Sequence, residues 1–295
     1  MVDKTTHITF IHGIGNKPSA EQLRRIWIES LTMDRDSNEG FDPEAEGISV
    51  SFVYWADLFH DEPIPPGTYE SIVDEVAVSF PDVANLSFDS WMENMQEYFP
   101  LDDDSQYVDP PASDESVQYE RIPLPWFIKQ RVMKRFLNEV HDYLFNINEI
   151  RDKIRNRVID DLHSQDVDNH IIVSHSQGTV IAYDVLTGVD ECKDIHGFMT
   201  VGSPLGIDEV QDKLNHTIEN GFPKKLKGDW FNVYDPFDVV SRPDPRLSND
   251  FKNNGLELIR DIKEPNWGKW RHSATKYFQG KKLRTALRML CDRMG

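Results

Sequence analysis

The segment His170 to Thr179, reading His-Ile-Ile-Val-Ser-His-Ser-Gln-Gly-Thr, constrains this chain more than any other. A short β-branched run, a turn and then Val180-Ile181-Ala182-Tyr183 predict a buried strand feeding directly into a helix. Ser176 falls on the junction, in the pattern Ser174-x-Ser176-x-Gly178. A serine that attacks a carbonyl needs a sharp strand-to-helix turn, with small residues two positions to either side so that the turn can close. Serine here takes the place of the usual first glycine. The helix start would also aim backbone N–H groups at a developing oxyanion. The plain alternative is a structural serine in a tight turn.

The rest of the chain repeats the same alternation. His7 to Ile11 reads as a strand, with a helix from about Ser19 carrying Leu23, Ile26, Trp27 and Leu31 at helical spacing. Further strands are expected at Ile48 to Trp55, His170 to Val173, Gly197 to Val201, Trp230 to Tyr234 and Leu256 to Ile262. Between them come a helical stripe from Phe127 to Leu162, broken near Asn146 to Asn148, and a helix from Thr179 to Leu186. A basic amphipathic helix through Leu283, Leu287 and Leu290 closes the pattern. This is the signature of the α/β class, a largely parallel sheet with helices on both faces. The 295 residues are read as a single domain, with an insertion at 60–122 where Pro63, Pro65, Pro66, Pro110 and Pro111 cluster. Trp91, Met92, Met95, Tyr98 and Phe99 would make that insertion a lid or pocket wall, or simply an extra packed helix.

A tetrahedral intermediate needs two N–H donors. The residue after the nucleophile, Gln177, offers one; Ile14 offers the other, in the loop His12-Gly13-Ile14-Gly15 that ends the first strand. A dinucleotide loop is the competing reading, but the third glycine is missing and Lys17-Pro18 follow. His12 is expected to brace this loop. The acid should lie between serine and histidine in the chain. Asp235 and Asp238 both qualify, in Tyr234-Asp235-Pro236-Phe237-Asp238, and Asp238, past the strand end, is favoured. His272 is the expected base, because His196 lies in or beside a strand and His216 in a remote helix. His12, Gly13, Trp55 and Ser203 are expected to border the substrate. Ser203 is no nucleophile candidate, since Pro204 directly after it prevents the expected helix entry. No His/Asp/Glu group has metal-ligand spacing, so neither metal nor cofactor is expected.

Composition removes other functions. A formal net charge of -19 opposes nucleic acid or anionic lipid as a partner, and a salt-tolerant source would favour such acidity. The two cysteines, Cys192 and Cys291, are expected to be free thiols of a reducing compartment. Met1-Val2-Asp3-Lys4 runs into a strand with no apolar signal core, and no stretch is long enough to span a bilayer. The expected location is the cytoplasm.

The loop Phe10-Ile11-His12-Gly13-Ile14-Gly15 is similar to the oxyanion loops of small lipases, and the chain resembles an α/β-hydrolase lipase or esterase. Three further segments resemble the catalytic region of intracellular phospholipase A1-type enzymes: Ser174 to Asp184, Gly202 to Gly206, and Asn232 to Val240. The resemblance implies an α/β-hydrolase fold, Asp238 as triad acid, and His272-Ser273 before Tyr277 as the late histidine segment. It spans about 1–16, 170–206 and 230–278, not the insertion. The function it implies is hydrolysis of a small-molecule or lipid ester through an acyl-enzyme. A thioesterase or amidase with the same triad, or a non-catalytic binding module on the fold, are the alternatives.

Overall fold

Alternate side chains of a strand point to opposite faces, and here the two sets meet different layers of helix. In β1 (Thr6–Ile11), Ile8 and Phe10 join one buried cluster while Ile11 joins another. The computed structural model describes residues 5–33, 40–69, 138–214, 221–238, 240–267 and 271–292. Within them β2 (Ser49–Val53), β3 (Asn169–His175), β4 (Ile195–Val201), β5 (Leu226–Tyr234) and β8 (Arg260–Lys263) join β1 in one sheet of order β2-β1-β3-β4-β5-β8. Every pairing in that sheet is parallel. This is a mixed α/β fold, as the alternation of elements predicts.

Helices cover both faces. Helix α1 (Ala20–Thr32) starts from a reciprocal cap, in which Ser19 Oγ accepts from Gln22 N–H and the Gln22 side chain accepts from Ser19 N–H. It packs Leu23, Trp27 and Leu31 with Ile8, Phe10 and Val173. The opposite face holds α2 (Asn138–Leu144), α3 (Ile150–Ser164) and α4 (Gln177–Gly188), which bury Val140, Ile154, Val158 and Val180 against Ile11, Ile172 and Trp230. The expected break in the long stripe falls where Asn146, Asn148 and Glu149 take positive φ, a conformation asparagine tolerates. A short helix α5 (Asp208–Lys213) follows β4, while α6 (Ala274–Phe278) and α7 (Lys281–Asp292) return to the α1 side.

Two expectations need correction. The run Leu256 to Ile262 is two elements: β6 (Lys252–Asn253) and β7 (Leu256–Glu257) form a small antiparallel hairpin, and only Arg260 onward enters the main sheet. Asn254 and Gly255, both at positive φ, make the turn. The helix after Ser176 begins at Gln177 rather than Thr179. Of the insertion, residues 60–69 are described; Trp91, Met92, Met95, Tyr98 and Phe99 lie outside the described residues, as do His216 and Trp270. Both cysteines are free, as expected. Among the described residues no helix is long and apolar enough to cross a membrane.

The register between β4 and β5 slips between Ile195 and Gly197, so that β5 carries one extra residue there. Gly228 occupies the slip, and a Cβ on it would lie 1.7 Å from the His196 carbonyl oxygen. Gly228→Ala therefore has to pry two central strands apart. We expect it to lower unfolding stability by roughly 1–3 kcal/mol, read by urea denaturation. An unchanged midpoint would mean that the bulge has room the structure does not give it.

Candidate active site

The sheet order reverses between β1 and β3, because the chain goes outward from β1 to β2 and then returns to β1's other side. In open parallel sheets the loops at the carboxyl ends of such a strand pair flank a crevice. The loop His12-Gly13-Ile14-Gly15 and the Ser176 turn are those two loops. They touch: a Cβ on Gly13 would lie 2.6 Å from Ser176 Cβ and 3.1 Å from its Oγ. Any larger residue at position 13 would displace the serine.

Ser176 is held at φ 56°, ψ -129°, a conformation that strains a residue with a side chain and persists only where the surroundings enforce it. Its N–H donates to Val201 O at 3.0 Å, and its own carbonyl accepts from Thr179 N–H and Oγ1. Gly178 permits the turn, since a Cβ there would lie 2.4 Å from Ile11 O and 2.6 Å from His12 O. Ser174, the other small residue of the pattern, is fully buried with its Oγ donating to Met199 O.

Asp238 and His272 meet. His272 Nδ1 lies 2.8 Å from Asp238 Oδ2, with both residues buried. Asp238 follows the carboxyl end of β5, so the pair sits at the same edge of the sheet as Ser176. The His272 ring also lies 4.6 Å, centroid to centroid, from the ring of His175, the residue before the serine. Gly202, just past β4, backs the pair: a Cβ there would lie 2.8 Å from Asp238 Oδ2 and 3.1 Å from His272 Nδ1. Burial alone would push the Asp238 carboxyl up. His272 beside it, the Val240 N–H and the Tyr277 hydroxyl outweigh that and hold it below its ordinary value.

Asp235 does something else. Its carboxylate accepts from Phe237 N–H, Asn266 N–H and Arg271 Nη1, which clamps the loop leading into His272. Burial raises its carboxyl despite these donors. Of the two aspartates left open by the sequence, Asp238 is the one on the imidazole.

The glycine loop is pinned from several sides. His12 Nε2 accepts from Trp55 N–H at 3.0 Å, so Nδ1 carries the proton and donates to Gly13 O at 2.7 Å. The Gly13 carbonyl and the Ile14 N–H belong to one trans peptide and point opposite ways, so this bond turns the Ile14 N–H away from the imidazole. Burial, reinforced by the Lys17 charge, holds His12 well below the ordinary histidine range and so neutral. Lys17 Nζ donates to Ile14 O and Gly15 O, and Glu139 accepts the Gly15 N–H at 2.8 Å and pairs with His60. With Gly15 N–H taken by Glu139, Ile14 is left as the loop's candidate donor.

Of the expected substrate-side residues, Gly13 abuts Ser176. His12 and Trp55 are fully buried and bonded to each other. Ser203 is buried with its Oγ 2.7 Å from Thr179 Oγ1 and accepting from Leu205 N–H. Sequence reasoning passed over Gly202, Glu139 and the Tyr277 hydroxyl. Gly202 stood in a motif already singled out, whereas Glu139 carries no sequence signal.

One cluster with metal-type donors exists among the described residues: atoms of His7, Asp161 and His170 lie within 4.8 Å of one another. Spacing rules miss it, because register pairing places His7 beside His170 across 163 residues of chain and α3 adds Asp161. Hydrogen bonds account for it. Thr9 and Ser51 hydroxyls both donate to Asp161 Oδ2, at 2.8 and 2.7 Å. Their oxygens can then only accept, from His170 Nε2 and His7 Nε2 at 2.8 Å each. Burial lowers both histidines, His170 to about 3, so both are neutral and the protons suffice. The group is a clasp between the sheet and α3, away from the Ser176 edge.

No protein-family model matches this chain, and no curated protein does.

Proposed function

We propose that this chain is a serine hydrolase of the α/β-hydrolase fold that cleaves carboxylic esters through an acyl-enzyme. The observation that carries the reading is the buried Asp238–His272 hydrogen bond at the sheet edge where Ser176 is held in a strained turn. A buried carboxylate on a histidine, with that imidazole 4.6 Å from the ring of the residue just before a strained serine, supports this reading. Ser176 Oγ attacks the carbonyl, and His272 takes its proton and later returns it to the leaving alcohol. Asp238 holds the Nδ1–H tautomer, while Ile14 and Gln177 N–H groups receive the oxyanion. Water then attacks the acyl-enzyme as His272 takes its proton, and the tetrahedral intermediate collapses to the free acid with that proton returned to Ser176 Oγ. The resemblance to lipases and intracellular phospholipase A1-type enzymes favours an acyl lipid or other small ester as the substrate.

The test is labelling by a fluorophosphonate probe, wild type against Ser176→Ala, with p-nitrophenyl esters of increasing chain length. Labelling of the wild type that disappears in Ser176→Ala is expected, and the chain-length profile then defines the acyl site. Equal labelling of both proteins would refute Ser176 as nucleophile. Neither labelling nor ester turnover would favour a non-catalytic module on the same fold.

A further inference from the structure

We propose that Tyr277 is a positioning residue that sets the strength of the Asp238–His272 hydrogen bond; this rests on the hydrolase reading above. Tyr277 is fully buried in α6, five residues after His272. Its hydroxyl oxygen accepts the Asp235 N–H at 2.8 Å, which leaves its proton for Asp238 Oδ2, also at 2.8 Å. That is the oxygen on which His272 Nδ1 rests. The other carboxylate oxygen accepts the Val240 N–H at 2.8 Å. Three donors thus fix the plane of the carboxylate, and two of them compete for one oxygen.

The competition has a chemical consequence. A donor to a carboxylate draws on its negative charge and weakens its hold on any second proton. The Tyr277 hydroxyl therefore moderates the pull of Asp238 on the His272 proton. Burial, with the two aspartates nearby, holds the phenol well above its ordinary range, so it stays a donor throughout the working pH range. Asp235 enters twice, clamping the loop before His272 and orienting this hydroxyl through its backbone N–H. Asp238 and His175 face His272 here, the latter kept neutral by burial.

The experiment follows the His272 ring by NMR across pH, alongside kcat and KM for a p-nitrophenyl ester. In Tyr277→Phe the carboxylate is freed for His272, so the ring's titration midpoint should move up by about 0.5 pH unit or more. The acid limb of the rate profile should follow it. We expect kcat to fall about tenfold with KM little changed, since the charged hydrogen bond lost acts on the base and not on the substrate. Fluorotyrosine placed at position 277 keeps the ring and both bonds but donates more strongly, and should move the midpoint down. Opposite movements in the two proteins would establish the coupling, because a merely structural hydroxyl predicts neither. A midpoint unmoved in both would overturn it. If Tyr277→Phe fails to fold, the fluorotyrosine protein decides alone, by a downward or an absent shift. A wild type that takes no fluorophosphonate refutes the hydrolase reading, while the NMR midpoint still tests Tyr277.

Discussion

Asp238→Asn should lower ester turnover on the order of 10⁴-fold while leaving the protein folded. The size follows from which way the new amide must face. Val240 N–H donates to Asp238 Oδ1 and, being backbone, cannot turn away. The imidazole can change tautomer and the Tyr277 hydroxyl can rotate, so the amide oxygen takes the Oδ1 position. The amide NH₂ then meets both His272 Nδ1 and the Tyr277 hydroxyl where Oδ2 now accepts. The imidazole must switch its proton to Nε2, the nitrogen that in the proposed mechanism receives the serine proton. It keeps its place and loses its competence as a base. Asp235→Asn is the control, because its contacts are to Arg271, Asn266 and Phe237 rather than to the ring. It should cost far less turnover. Steady-state rates with matched circular dichroism separate the cases, and equal losses in both variants would refute Asp238 as the acid.

How far these residues could be read from the sequence depended on the kind of signal each left. β1 and β3 put Ile8, Phe10, Ile171 and Val173 on one face and Ile11 and Ile172 on the other, and these apolar runs announced buried parallel strands directly. The run from Leu256 misled for the same reason. Leu256 is 64% exposed and Leu258 43%, and a rule that counts apolar residues cannot tell a solvated hairpin from a core strand. Ser176 was legible because a strained turn demands small neighbours at fixed offsets. For the proposed acid the sequence favoured Asp238 without excluding Asp235, since the two lie three residues apart on the same loop and differ in what they bond. Chain order could narrow the choice to two, and the hydrogen bond to His272 separates them. Tyr277 and the His7–Asp161–His170 clasp lie further beyond reach. Each depends on a single oxygen receiving protons from distant segments, and nothing in local composition records that.

The largest effect on stability should come from Asp184, which lies in the helix that follows Ser176. Its carboxylate, almost fully buried in α4, accepts from Arg151 and Arg155 through two nitrogens each, and from the Tyr143 hydroxyl at 2.6 Å. This ties α2, α3 and α4 together behind the Ser176 turn. Asp184→Ala leaves two cations and a buried phenol facing one another, and breaking such a pair costs about 3–5 kcal/mol. The lower end is expected, because the arginine side chains keep 17% and 21% of their exposure and can recover some water. Asp184→Asn should cost less, since its amide oxygen still accepts from Tyr143. The pH dependence has a definite sign. Burial raises the Asp184 carboxyl, but its bonds to the two arginines prevail and bring it below the ordinary 3.8. A carboxylate depressed by folding contributes stability that is present above the unfolded value and lost as pH falls through the folded one. The gap between wild type and Asp184→Ala in urea unfolding should therefore be full at pH 7 and begin to close below about pH 4. Asp235, raised by burial, works in the opposite direction, and comparing each variant with wild type at the same pH cancels it. A gap that stayed constant into acid would mean that Asp184 stabilises through packing alone, and the charge argument would fail.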